Sequence, residues 1–125
     1  MMIKSKAMNV KEIIFSLIEA FDKNDTELIL SHFTEDIEWE IINEAKFSGK
    51  AEIRTFFEAN PDMEMFASTK DHVIIDGNQA MVNGEVQCGN KSKEIYYDMY
   101  YCDIYDLEGD KIKKMTSFTI NKKKD

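Results

Sequence analysis

Ile95-Tyr96-Tyr97-Asp98-Met99-Tyr100-Tyr101-Cys102-Asp103-Ile104-Tyr105-Asp106-Leu107 holds all 5 tyrosines of the chain and neither Gly nor Pro. Aromatic and β-branched residues favour a pleated, half-buried surface, so this run reads as one long strand. Successive side chains on a strand point to opposite faces. Ile95, Tyr97, Met99, Tyr101, Asp103, Tyr105 and Leu107 share one face. Tyr96, Asp98, Tyr100, Cys102, Ile104 and Asp106 share the other. Neither is a plain solvent face. One is expected to cover a core or pocket and the other to meet a partner. Asp98 and Asp103 lie on opposite faces, and a shift of register by one residue exchanges them. The flanking turns leave that choice open.

Strands continue on both sides of this run. Downstream, Glu108-Gly109-Asp110 is a turn, and Lys111 to Ile120 forms a last strand with Ile112, Thr116, Phe118 and Ile120 on one side. Upstream, Gly89-Asn90-Lys91 is a turn. Before it Ala80, Val82, Val86 and Cys88 alternate with Met81, Asn83, Glu85 and Gln87, one apolar face against one mostly polar. Asp76-Gly77-Asn78 is another turn, preceded by strand at Met63 to Thr69 and His72 to Ile75. The N-terminal half differs. Val10, Ile13, Ile14, Leu17, Ile18 and Phe21 form one stripe at helical spacing, with Asn9 and Glu12 as a capping box. Asn24-Asp25 ends that helix, and Asp25 caps a shorter one to about Phe33. Ile37-Glu38-Trp39-Glu40-Ile41 alternates as a half-buried strand with Trp39 inward. A third helix runs from Lys50 to Ala59 with Ile53, Phe56 and Phe57 toward the core, and Asn60-Pro61 ends it. Helices followed by hairpin-linked strands predict an α+β fold with an antiparallel sheet.

The 125 residues fit one domain, large enough to bury roughly two-thirds of the unfolded chain's surface without a metal or disulfide. Residues 1–8 and 121–125 are expected to be flexible ends, with Lys122, Lys123 and Lys124 solvated. The formal charge of −8 argues against nucleic acid, and Arg54 is the only arginine among 16 basic residues. No apolar run suits a signal peptide or membrane span, so a cytoplasmic location is expected. Cys88 and Cys102 are expected to stay unpaired, one beside a hairpin turn and the other far along its partner strand. His32 and His72 are too far apart in sequence for a spaced metal motif, and no cofactor is implied.

The segment from Glu19 to Trp39 resembles the opening of the SnoaL-like part of the nuclear-transport-factor-2-like superfamily. The likeness lies in Ala20-Phe21, the Asn24-Asp25 break, a helix ending at Phe33, and Glu35-Asp36 before the strand. Gly49-Lys50-Ala51-Glu52-Ile53-Arg54 is similar to the start of that family's third helix. Asp106-Leu107-Glu108-Gly109-Asp110-Lys111-Ile112 is similar to its late hairpin. The resemblance implies a cone: a strongly curved, mixed, mainly antiparallel sheet wrapped around three N-terminal helices, with a largely apolar pocket between them. It also implies a homodimer through the outer sheet face. Superfamily members include isomerases, cyclases, dehydratases, epoxide hydrolases and non-catalytic association domains, so the fold alone fixes no activity.

Carried onto this chain, the steroid-isomerase positions fall on Leu17 for the tyrosine, Ile41 for the base and Cys102 for the late-strand acid. None of the three is suited to that role. The cyclase aspartate near the end of the last strand falls in Phe118-Thr119-Ile120-Asn121, which has no carboxylate. The same alignment turns the Asp98 face inward. Asp98 is then the candidate acid or base, with Tyr100 as hydrogen-bond donor and His72 as a further base. Leu17, Trp39, Ile41, Phe56, Cys102 and Phe118 are the candidate pocket lining, for a small hydrophobic or aromatic molecule. The plainer readings are a core Trp39, a surface His72 and a solvated Asp98. A binding or association module without chemistry is the alternative function.

Overall fold

The computed structural model describes residues 9–123. Three helices precede most of the sheet: α1 (Val10–Asp22), α2 (Thr26–Ser31) and α3 (Lys50–Ala59). Seven strands follow the order β1 (Phe33–Ile41), β2 (Ala45–Ser48), β3 (Met63–Ser68), β4 (His72–Asp76), β5 (Gln79–Asn90), β6 (Tyr96–Glu108) and β7 (Lys111–Asn121). Of the ends expected to be flexible, 1–8 and 124–125 lie outside the described residues, whereas Asn121 closes β7 and Lys122 pairs with Glu85 and Asp98.

Local chemistry sets the helix ends. Asn9 Oδ1 accepts the Glu12 backbone N–H at 2.9 Å, and Asn9 Nδ2 donates to Glu12 Oε1 at 2.7 Å. Asn24 takes a positive φ of 56° and stops α1. Asp25 Oδ1 then accepts the Leu28 N–H at 3.1 Å and starts α2. That second helix ends earlier than its apolar residues suggest. His32 caps it, and Phe33 already belongs to β1.

The sheet order is β2-β1-β7-β6-β5-β3, with β4 also pairing with β5. Only β1 with β7 is parallel, so the sheet is mixed, mainly antiparallel and open. β2 is unmarked by strong alternation in the sequence, and pairing with β1 creates it. Ile13, Ile14, Leu17 and Ile18 of α1 pack with Trp39, Val82, Tyr105 and Met115 from the sheet. Each large apolar side chain buried this way contributes about 1.5–3 kcal/mol.

Paired strands share faces, so the β5–β6 register decides the tyrosine strand. Ala80 opposes Tyr105, Val82 opposes Asp103, Gly84 opposes Tyr101 and Val86 opposes Met99. The apolar face of β5 therefore carries the Tyr101–Asp103–Tyr105 face of β6 inward with it. The opposite expectation, that Asp98 faces the interior, is reversed. A bulge reverses the parity in β7 as well. Leu107 opposes Ile112 but Asp106 opposes Lys114, so Lys113 is one residue extra. Ile112 is buried before the bulge, and Met115 and Ser117 after it. Phe118 and Ile120, expected on the side of Ile112, instead face outward.

Gly84 is needed where it stands. A Cβ there would lie 2.2 Å from the Thr69 carbonyl oxygen, which crosses the inner face of β5. That oxygen accepts a hydrogen bond from the Tyr101 hydroxyl at 2.5 Å. The strand-to-strand link after β3, the missing Cβ and the cross-strand tyrosine form one fitted unit.

Candidate functional site

The inner face of β6 places a carboxyl among aromatics. Asp103 sits between Tyr101 and Tyr105 along the strand, opposite Val82 on β5 and Ser117 on β7. The Tyr105 hydroxyl donates to Asp103 Oδ2 at 3.3 Å. Trp39 on β1 donates its indole N–H to Ser117 Oγ at 3.0 Å, in the buried interior. Tyr105 and Ser117 are buried, while Asp103 and Tyr101 keep part of their surface in contact with solvent.

Dense protein around the carboxyl governs its ionisation. Burial pushes Asp103 up to about 6, against the opposing pull of the Ser117 and Tyr105 hydroxyls, which favour the carboxylate. The phenols move the other way from usefulness as bases. Burial and then the Asp103 charge hold Tyr105 and Tyr101 well above the ordinary tyrosine range, so both act as neutral hydrogen-bond donors. Asp103 is thus a carboxyl able to give or take a proton near neutrality, flanked by donors that stay protonated.

The other candidates are placed elsewhere. Asp98 lies on the outer face, where Gln87 donates to it at 2.8 Å and Lys122 pairs with it at 2.9 Å. These two partners hold it below the ordinary carboxylate range, not above. Tyr100 is also outward and 52% exposed, with Lys122 Nζ 5.3 Å from its ring centre. Lys122, expected in solvent, bridges Asp98 and Glu85. Cys102 and Phe118 pair with each other across β6 and β7 on that outer face. Burial, then Asp103, pushes the Cys102 thiol up, which opposes a nucleophilic role. His72 is exposed on β4, with Nδ1 2.9 Å from Asn83 Oδ1. Both cysteines are free.

Leu17 and Trp39 are on the inner side and buried, and Ile41 packs against the same core. Phe56 does not join them. It is 37% exposed and packs against Phe47 with ring centres 4.8 Å apart and planes tilted by 45°. Trp39 is surrounded by Phe21 at 5.9 Å, Phe47 at 5.6 Å and Phe57 at 6.4 Å, so aromatic rings fill the space beneath it. Two open surface depressions lie away from Asp103. One, about 470 Å³, is an apolar groove between β2 and α3 lined by Phe47, Ala51 and Phe56. The other, about 600 Å³, is polar and lined by Glu38, Asp106 and Lys114. No group of three or more His, Cys, Asp or Glu is arranged to hold a metal among the described residues. Likewise, no described helix is long and apolar enough to cross a membrane.

Asp103 is visible in the sequence as a candidate carboxyl, but on the face opposite to the one expected to be inward. The signal available was the apolar face of β5, which must share its side with its β6 partners. The missing datum was the parity of the hairpin loop between them.

An open, mixed seven-stranded sheet with three helices is the arrangement of the nuclear-transport-factor-2-like class of cone folds. The chain belongs to the SnoaL-like domain family, whose pattern matches residues 15–115. Among solved structures, an NTF2-like protein of unknown function from Cytophaga hutchinsonii is 28% identical. The match covers 90% of this chain and 100% of that one, with a TM-score of 0.67. An LEH-like epoxide hydrolase of M. tuberculosis shares the fold at 9% identity, covering 87% of this chain and 80% of that one, TM-score 0.77. So does a hypothetical protein with a ketosteroid isomerase-like fold from Catenulispora acidiphila, in complex with trimethylamine. It is 12% identical, covering 87% of this chain and 85% of that one, TM-score 0.73. No curated protein sequence matches this chain significantly.

Proposed function

We propose that this protein takes a small apolar or aromatic molecule against the inner face of β6, with Asp103 as its acid–base group and the Tyr101 ring beside it. The chemistry is cofactor-independent proton transfer of the isomerase, cyclase or dehydratase type. The observation that carries this reading is the placing of Asp103 on the inner face of β6 between Tyr101 and Tyr105, opposite Val82, with the Tyr105 hydroxyl on its carboxylate; burial there pushes the carboxyl up to about 6. Asp103 and Tyr101 retain solvent contact while their neighbours Tyr105 and Ser117 do not, which gives a ligand an approach to that pair. The ring cluster of Phe21, Trp39, Phe47 and Phe57 supplies apolar surface beneath, and binding requires it to part.

A fluorescence titration with 2-naphthol tests the site. Its flat apolar rings suit the aromatic cluster, and its hydroxyl suits Asp103. Saturable binding at roughly micromolar to millimolar concentration is expected, weakened about tenfold or more in Asp103→Leu. Equal affinity in wild type and variant, or no saturable binding, refutes the proposal.

A second reading is favoured by the outer face. Tyr96, Tyr100, Phe118 and Ile120 are 50%, 52%, 39% and 66% exposed there. Such a face suits a homodimer formed sheet to sheet, and it serves an association module as well as an enzyme. The two free thiols fit a reducing, cytoplasmic setting.

A further inference from the structure

The buried serine beneath the acid has a partner on its far side. Ser117 is 6% exposed, and its oxygen receives the Trp39 indole N–H. An indole nitrogen only donates, whereas a hydroxyl has one proton to give and two lone pairs to receive. With one lone pair engaged by Trp39, the Ser117 hydroxyl still has its proton to give, and a strand neighbour lies opposite it. That neighbour is Asp103. We infer that Trp39 and Ser117 form a positioning relay, in which the indole N–H orients the serine hydroxyl and the hydroxyl in turn holds the Asp103 carboxylate. The inference rests on the reading of Asp103 as the working acid, and it assigns Trp39 a polar role beyond its packing.

The surroundings leave the relay few competitors. Val82 faces Asp103 from β5 and carries no charge. Tyr101 and Tyr105 flank it on β6, and both stay protonated. Asp22 at the end of α1 and Asp71 after β3 act on Tyr101, the next inward residue along the strand. Neither Lys nor Arg is among the groups that set the Asp103 carboxyl. Its negative form therefore depends on the hydroxyls of Ser117 and Tyr105. Hydrogen bonds inside protein polarise one another, so a donor to Ser117 strengthens the bond that Ser117 gives.

Carboxyl-detected NMR titration reads the relay directly. Ser117→Ala is expected to raise the Asp103 midpoint by about one pH unit, and Ser117→Thr to restore it. Trp39→Phe keeps an aromatic ring but removes the donor, and it is expected to raise the midpoint by about half as much. Phe47→Leu disturbs the same ring cluster without touching the N–H, and no shift is expected. The wild-type protein supplies a check that needs no core substitution. Trp39 is the only Trp, so its indole N–H resonance is unambiguous. That resonance should move with the Asp103 midpoint and become pH-independent over the same range in Asp103→Asn and Ser117→Ala. A flat indole resonance in wild type, or a Phe47→Leu shift as large as that of Trp39→Phe, overturns the relay. Loss of 2-naphthol binding with these shifts intact would overturn the ligand reading alone.

Discussion

At the scale of single residues, Asp98 and Asp103 show how position outweighs identity. The two carboxyls are close in sequence on one strand, yet Gln87 and then Lys122 hold one low while burial holds the other high. The second shift has a consequence for stability. A carboxyl whose folded value is raised binds more protons folded than unfolded between the two values. Stability therefore falls as pH rises from the ordinary 3.8 toward about 6, and levels off above. The full loss is roughly 3 kcal/mol. Asp103→Asn should remove this slope and be more stable than wild type at neutral pH, by about 1–3 kcal/mol. Urea unfolding across that range checks it; an unchanged slope in the variant contradicts the assignment. The candidate carboxyls were legible in the sequence, but their environments were not. Lys122 lies far from both in the chain, and only folding brings it to Asp98.

Among the elements, the helices followed from local chemistry and the strand faces did not. The Asn9 and Asp25 caps, the α1 stripe and the bounds of α3 are visible in short windows because a helix satisfies its bonds within itself. Strands take their partners from elsewhere. The β2 segment is short and acquires its state from β1, and the Lys113 bulge inverts the faces of β7 midway. Gly84 makes the dependence testable. Gly84→Ala places a Cβ 2.2 Å from the Thr69 carbonyl oxygen, so the β3–β4 link must move and the Tyr101 hydrogen bond with it. A loss of about 2–4 kcal/mol is expected in denaturant unfolding. A loss below about 0.5 kcal/mol would mean that the link yields freely.

Taken whole, the molecule has a filled inner face and a bare outer one. The outer face of β6 and β7 carries Tyr100, Cys102, Phe118 and Ile120 together, bordered by the Lys122, Asp98 and Glu85 network. For a homodimer through this face, Tyr100→Asp should convert a dimer at micromolar concentration to monomer while leaving the fold intact. Tyr101→Asp, facing inward, should instead lower stability. Sedimentation equilibrium with thermal unfolding separates the two. A wild-type monomer removes the dimer, and dissociation by Tyr101→Asp with unchanged stability would point to the wrong face.

The amino-acid sequence by itself determined the α+β class, the three helices, every strand but β2 and membership of the SnoaL-like family. These rest on periodicity, caps and turns, which act over a few residues. Only the tertiary structure decided which face of the tyrosine strand is inner. A strand's two faces are related by a shift of one residue, and that shift is fixed by loop parity and by a bulge that packing selects. The same decision moved the candidate acid from Asp98 to Asp103 and gave Tyr100 to the surface and Tyr101 to the interior.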